Sequence, residues 1–232
     1  MMQVLIISLA PVFTILFYVY FRDRYEKEPI GMLVKALAVG AFIVIPVLFT
    51  GHFLEGVKPL LPHIGDAFYT SFITAGFIEE LFKFLGLYIL IWRNPNFNEK
   101  FDGIVYAVFV SLGFAAVENI MYVAEGGNKV ALVRALTAVP AHALFGIRMG
   151  YYFGVAHMYR ELRRTFLLKA LFIPVLLHGI YDFMLLSKIN LLLLAFIPYL
   201  VWLYYSGFRE MKVISDASVF KTLEEKEVKA ES

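Results

Sequence analysis

Two adjacent glutamates, Glu79 and Glu80, and a lysine one turn further on, Lys83, interrupt a run that is otherwise apolar from about Ala67 to Trp92. Later apolar runs hold Glu118 with Asn119, then His142, then His178 with Asp182 four residues beyond it. Carboxylates and imidazoles can hold and deprotonate a water, and a protonated or amide side chain can stabilise a developing oxyanion. Together they are equipment for adding water to a carbonyl. A covalent route is unattractive, because no serine pairs with a deep histidine and the chain has no cysteine. Two histidines and a glutamate also make a zinc site with an open position for water. Here they come from three separate runs without the H-E-x-x-H spacing. The sequence leaves metal dependence open, with a slight preference for a metal-free reaction based on the glutamates.

Each residue also has a purely structural reading. Lys83 stands at i+4 from Glu79 and i+3 from Glu80, so it can neutralise one carboxylate within the helix and leave the other unexplained. Adjacent glutamates point about 100° apart on a helix, so one can face a site while the other braces a neighbour. Burial and like charge oppose ionisation of both, and Lys83 favours it, which allows one ionised base beside one protonated acid. Asp182 shares a helical face with His178 and either orients the imidazole or stabilises the helix. Glu118 serves equally well as a strut between helices. His52 and His63 fall near one boundary of the apolar runs and His157 near the other, which leaves only His142 and His178 deep.

The elements that must position these groups are membrane helices. Of 232 residues, 60% are hydrophobic and 17% aromatic, which lies outside the soluble range and predicts an all-α, polytopic membrane protein. The near-zero net charge gives no reason to invoke nucleic acid, and the missing cysteines exclude disulfides and thiolate metal sites. A crossing needs roughly 20 mainly apolar residues. Stretches at about 2–21, 31–56, 67–92, 103–124, 129–158, 166–187 and 190–208 qualify, giving a bundle of about seven helices. The first has no basic residue before Arg22 and no small-residue cleavage site, so it reads as a retained helix. Arg22, Arg24, Lys27, Arg93, Lys100, Arg160, Arg163, Arg164, Arg209 and Lys212 fall in alternate junctions. The excess of lysine and arginine on one side places the N-terminus outside and the C-terminus in the cytoplasm of a multi-pass cell-membrane protein. Residues 209–232 read as a polar, disordered tail.

On these spans Glu79, Glu80, His142 and His178 share one mid-membrane level, with Glu118, Asn119 and Asp182 there or nearer the outside. An isolated charge at that depth costs at least about 2.5–3.5 kcal/mol, so a cluster marks a function by default. Two stripes of small residues, Gly103, Ala107, Ser111 and Ala115 leading to Asn119, and Gly146, Gly150 and Gly154 leading from His142, predict close helix packing that aims the polar layer inward.

The segments "YFRDRYEKEP", "EELFK", "FDGIVYAVFVSLGFAAVENIMY", "PAHALFGIRMGYYFG" and "LLHGIYDF" resemble, in order from about Phe17 to Phe183, the motif set of the PrsW family of bacterial intramembrane proteases. That family lies in the clan of CAAX prenyl proteases and bacteriocin-processing enzymes. The resemblance implies a protease domain over 1–208. It also implies a first, extracytoplasmic cleavage of a single-span, membrane-anchored anti-sigma factor in an envelope-stress response. It matches Glu79 and Glu80 to the paired catalytic glutamates and His178 to the essential histidine of the last motif. His142 and the Glu118–Asn119 pair fall on the intervening motifs. Ala107 stands where the family pattern carries a glycine, a departure that touches no catalytic position. The competing class is an ion- or proton-coupled transporter, which would use the buried Glu/His cluster as a relay. It calls for inverted repeats, and none is visible. A non-catalytic receptor would leave the polar layer as structural glue alone.

Overall fold

The computed structural model describes residues 2–58, 60–218 and 220–221, and among them all regular structure is helical. The helices are α1 (Met2–Arg22), α2 (Ile30–Phe42), α3 (Val44–Val57), α4 (His63–Phe68), α5 (Ile78–Ile91), α6 (Lys100–Leu136), α7 (Ala138–Met158), α8 (Arg163–Leu186) and α9 (Asn190–Asp216). A π-helical segment, Tyr69–Phe77, joins α4 to α5.

Burial separates two central helices from a surrounding layer. Every residue from Phe101 to Ala115 in α6 and from Ala138 to Gly150 in α7 is buried, whereas α1, α3 and α9 present Phe17, Phe21, Phe49, Leu194 and Tyr205 outward. That outer layer of large apolar side chains suits lipid, which replaces water as the solvent of the outer face. α6 and α7 are antiparallel and lie closer than side chains normally allow. A Cβ on Gly150 would strike the Gly103 carbonyl and Ile104, and one on Gly154 would strike Lys100. Gly146 faces Ala107 and Ser111 in the same way. The two stripes of small residues therefore meet each other, as their spacing predicts.

Among the described residues, five stretches are long and apolar enough to cross a membrane, beside the seven expected from hydropathy: Leu5–Arg22, Ile30–Val57, Lys100–Met158, Arg160–Leu186 and Asn190–Asp216. The expected third span is divided among α4, the π-helical segment and α5, and it carries buried charge. The expected fourth and fifth form one continuous helical stretch that folds back at Gly127, whose backbone is left-handed there (φ 68°, ψ −161°). Glycine is the residue that adopts this conformation without strain. α9 continues past Phe208 to Asp216, so the helix takes in the first part of the expected tail; residues 222–232 lie outside the described residues.

The bundle end near α6's start is held by carboxylates. Asp102 and Glu99 form a reciprocal capping box, the Glu28 backbone N–H donates to Asp23 (3.3 Å), and Tyr106 donates to Glu28. Ser218 donates to Glu99 at 2.5 Å, tying the end of α9 to the same corner. Burial pushes the Asp23 and Glu28 carboxyls up to about 7 and raises Glu99 as well.

Candidate active site

Helix α5 opens with Glu79 and Glu80 directly after the wide π-helical turn, a backbone form that recurs at functional sites. Gly76, in that turn, lets it press onto α8: a Cβ there would stand 3.1 Å from the Val175 carbonyl and 3.2 Å from the Gly179 nitrogen. About one turn after Gly76, on α5, this proximity brings Glu80 to His178, whose Nδ1 lies 2.9 Å from Glu80 Oε1. The other imidazole nitrogen, Nε2, faces Asp182 Oδ2 at 3.3 Å and Glu79 Oε2 at 3.9 Å. Asp182 thus sits one turn along α8 and meets the ring, the contact that the shared helical face predicts.

His142 arrives from α7. Lys83 donates to its Nδ1 (3.2 Å), and because an ammonium can only donate, that nitrogen accepts and the proton sits on Nε2. Nε2 donates in turn to Glu118 Oε2 at 2.9 Å. The two rings meet edge to face, with centroids 5.3 Å apart. Lys83 bridges both glutamates, donating to Glu80 Oε1 at 2.8 Å and Glu79 Oε2 at 3.3 Å. It therefore pairs with both carboxylates, where the spacing alone leaves one without a partner.

Glu118, on α6, is fixed by a residue that the sequence reading passes over. Arg134 donates to Glu118 Oε2 at 2.6 Å and to Asn119 Oδ1 at 2.8 Å. The reversal at Gly127 makes this possible, since it lays residues 128–136 back along the chain that precedes it. A lone arginine in "ALVRALTAV" was the available signal. Asn119 spends the other end of its amide on the Ser8 carbonyl of α1 (2.8 Å), so it braces α1, α6 and Arg134 and stands outside the donor cluster.

One ligand atom each from Glu79, Glu80, His142 and His178 lies within 4.8 Å of all the others, and all four residues are buried. Glu80 Oε2 is buried with no hydrogen-bond partner. Each histidine has an outer carboxylate, Glu118 or Asp182, on one nitrogen. A carboxylate behind a histidine is the arrangement that orients metal-binding imidazoles. The donor set fits a divalent metal of the zinc class on chemistry, number and burial.

Two cavities meet at this cluster, and both reach toward the bundle end that carries Gly127 and the α8–α9 turn. One, of about 290 Å³, is lined by Val44, Val47, Leu48, Phe114, Met121 and Glu125, with Glu79, Glu118 and Tyr122 at the shared boundary. The other, of about 300 Å³, exposes His142, His178, Arg134 and Asp182. Glu79 is the one member of the donor set that lines both, and it is 9% exposed against 0% for Glu80.

A family model described as PrsW family intramembrane metalloprotease matches residues 28–205. Among curated proteins, "Protease PrsW" of Bacillus subtilis (strain 168) is 38% identical over 91% of this chain and 95% of its own length. Its namesake in Halalkalibacterium halodurans is 36% identical over 92% and 97%. That of Clostridioides difficile (strain 630) is 32% identical over 88% and 87%. No solved structure matches the chain.

Proposed function

Because the chain belongs to the PrsW family of intramembrane metalloproteases, we propose that Glu79, Glu80, His142 and His178 are its hydrolytic centre, with Glu79 as the proton-transferring base. The observation that carries this reading is the convergence of four buried donors from α5, α7 and α8 to within 4.8 Å, only Glu79 of them reaching both cavities. Glu80, His142 and His178 would hold a metal, a two-histidine, one-glutamate set of the kind catalytic zinc uses. When bound, such an ion polarises a carbonyl and lowers the pKa of a bound water. The donor set and the family's description move the balance away from the metal-free reaction that the sequence alone favours slightly.

The remaining steps fall to side chains of this chain. Glu79, at the junction of the cavities, takes the proton of the attacking water and delivers it to the leaving amide nitrogen. Asp182 and Glu118 hold the two imidazoles in place. Arg134, on the wall of the cavity that exposes the two histidines, keeps Glu118 oriented and offers a cationic partner to the peptide backbone. The cavity beside α3, with Val44, Val47, Leu48, Phe114 and Met121 on its wall, would take apolar side chains of a substrate segment drawn from the bilayer.

The substrate we infer is a single-span anti-sigma factor, cut in or just outside the outer part of its membrane helix, as the family resemblance implies. Supporting this, both cavities reach toward the bundle end poorer in lysine and arginine, which is the outer end by the distribution of basic residues. A transporter reading has no comparable support. The test is co-expression with candidate single-span anti-sigma factors, followed by sequencing of the membrane-bound stump's new terminus. A cut on the outer side that Glu79→Gln abolishes is expected. A cut on the cytoplasmic side, or one that persists in Glu79→Gln, overturns the reading.

A further inference from the structure

Lys83 is wholly buried, and its ammonium uses all three of its N–H groups on the donor cluster: Glu80 Oε1, Glu79 Oε2 and His142 Nδ1. The nitrogen also lies 4.3 Å from the centroid of the Phe114 ring. A divalent ion would take oxygen and nitrogen ligands at about 2.0–2.2 Å, and these donors stand only 2.8–3.3 Å from Lys83 Nζ. The ammonium and a metal cannot be seated there together: their volumes overlap and their charges repel.

Resting on the metal reading given above, we propose that Lys83 is a resident cation of the donor set, which holds Glu79, Glu80 and His142 in the unloaded protein and leaves its seat when a divalent metal binds. Phe114, which lies against the ammonium, also forms a wall of the cavity beside α3, whose lining includes the carboxylates Glu118 and Glu125. Rotation of the four-carbon stem past that ring would turn the ammonium toward Glu118. Loading the centre then moves a positive charge from the ligands to the edge of the substrate cavity, where it can meet a developing oxyanion. Emptying the centre returns it.

Two consequences separate this role from simple packing. While the lysine holds its seat the donor set is closed to metal, so a seat filled in nine of ten molecules weakens apparent affinity by about tenfold. Without the lysine, the unloaded protein keeps two buried glutamates with no cation between them. Lys83→Met should therefore bind metal more tightly and yet be less stable when unloaded.

The experiment is zinc titration of the purified full chain in detergent against a chromophoric chelator, with thermal melting of each protein with and without zinc. Lys83→Met is expected to bind zinc at least about tenfold tighter than the unsubstituted protein. It should also melt lower without zinc and recover fully with it. Lys83→Gln, neutral but hydrogen-bonding, should follow the same direction and serves if the methionine variant does not fold. Equal or weaker zinc affinity in both variants overturns the role of Lys83. Zinc binding by none of the proteins, or undiminished binding by Glu80→Gln, overturns the metal reading instead and takes this inference with it.

Discussion

Replacing Gly150 by alanine adds one methyl group, and the structure gives it nowhere to go. The new Cβ would stand 2.5 Å from Ile104 Cα and 2.6 Å from the Gly103 carbonyl carbon, and would also overlap the Gly103 carbonyl oxygen. Carbon atoms pack at about 3.5–4.0 Å, so α7 must move away from α6 by about 1 Å. The obstacle is backbone, which no rotamer change removes. Overpacking of this kind costs typically about 1–3 kcal/mol, and the upper end is expected here. The shift reaches chemistry because α7 carries His142 two turns from Gly150, while α6 carries its partner Glu118. A misplacement of about 1 Å at a reacting centre can lower the rate about 10²-fold. The assay is thermal unfolding in detergent together with cleavage of a substrate segment. Gly31→Ala is the control, since its added methyl meets nothing within 4 Å. Gly150→Ala should melt lower and lose most activity, and Gly31→Ala should melt at or above the unsubstituted protein. Equal stability and activity of Gly150→Ala would refute the argument that backbone-to-backbone contact sets the α6–α7 distance.

Three further outcomes follow from named contacts. Glu118→Gln keeps the size of the side chain but removes the charge that faces His142 and Arg134; metal affinity or cleavage rate should fall by about 10–100-fold, and an unchanged value in both would remove Glu118 from the site. Asp23 and Glu28 hold their protons to about pH 7 when folded, whereas the unfolded chain releases its own near pH 4. Between those values the folded state binds more protons, so stability is greatest on the acid side, declines as pH rises through about 7 and levels above it. Melting temperatures from pH 5 to 8 should show that decline, reduced in Asp23→Asn; a rise over the range contradicts it. The distribution of basic residues predicts that cysteines introduced at Asn96 and Thr165 resist impermeant labelling in intact cells, and ready labelling at either would invert the topology.

Residue types were legible because the membrane penalises charge. In a chain this apolar, Glu79, Glu80, His142 and His178 stand out by depth alone, and periodicity predicts both the Asp182–His178 pair and the facing stripes of small residues. What stayed hidden depends on the path of the chain. Hydropathy gives separate spans at about 103–124 and 129–158, since no window registers that a single left-handed glycine, Gly127, reverses a continuous helix. For the same reason the pairing of Arg134 with Glu118, sixteen residues apart, was invisible. The acidic corner of Asp23, Glu28, Glu99 and Asp102 is not legible in the sequence, because such residues read as solvated junctions until burial is known. Lys83 was legible as a partner of one glutamate. Its third contact, with His142 across 59 positions, required the fold.

The claim that Glu80, His142 and His178 hold a metal while Glu79 moves protons is tested most directly by the metal content of purified variants. The unsubstituted protein and Glu79→Gln should each carry about one equivalent of a divalent metal per chain, with Glu79→Gln inactive. Glu80→Gln, His142→Ala and His178→Ala should carry none. A protein that cleaves its substrate with no metal bound, or full metal content in Glu80→Gln and both histidine variants, would contradict the account.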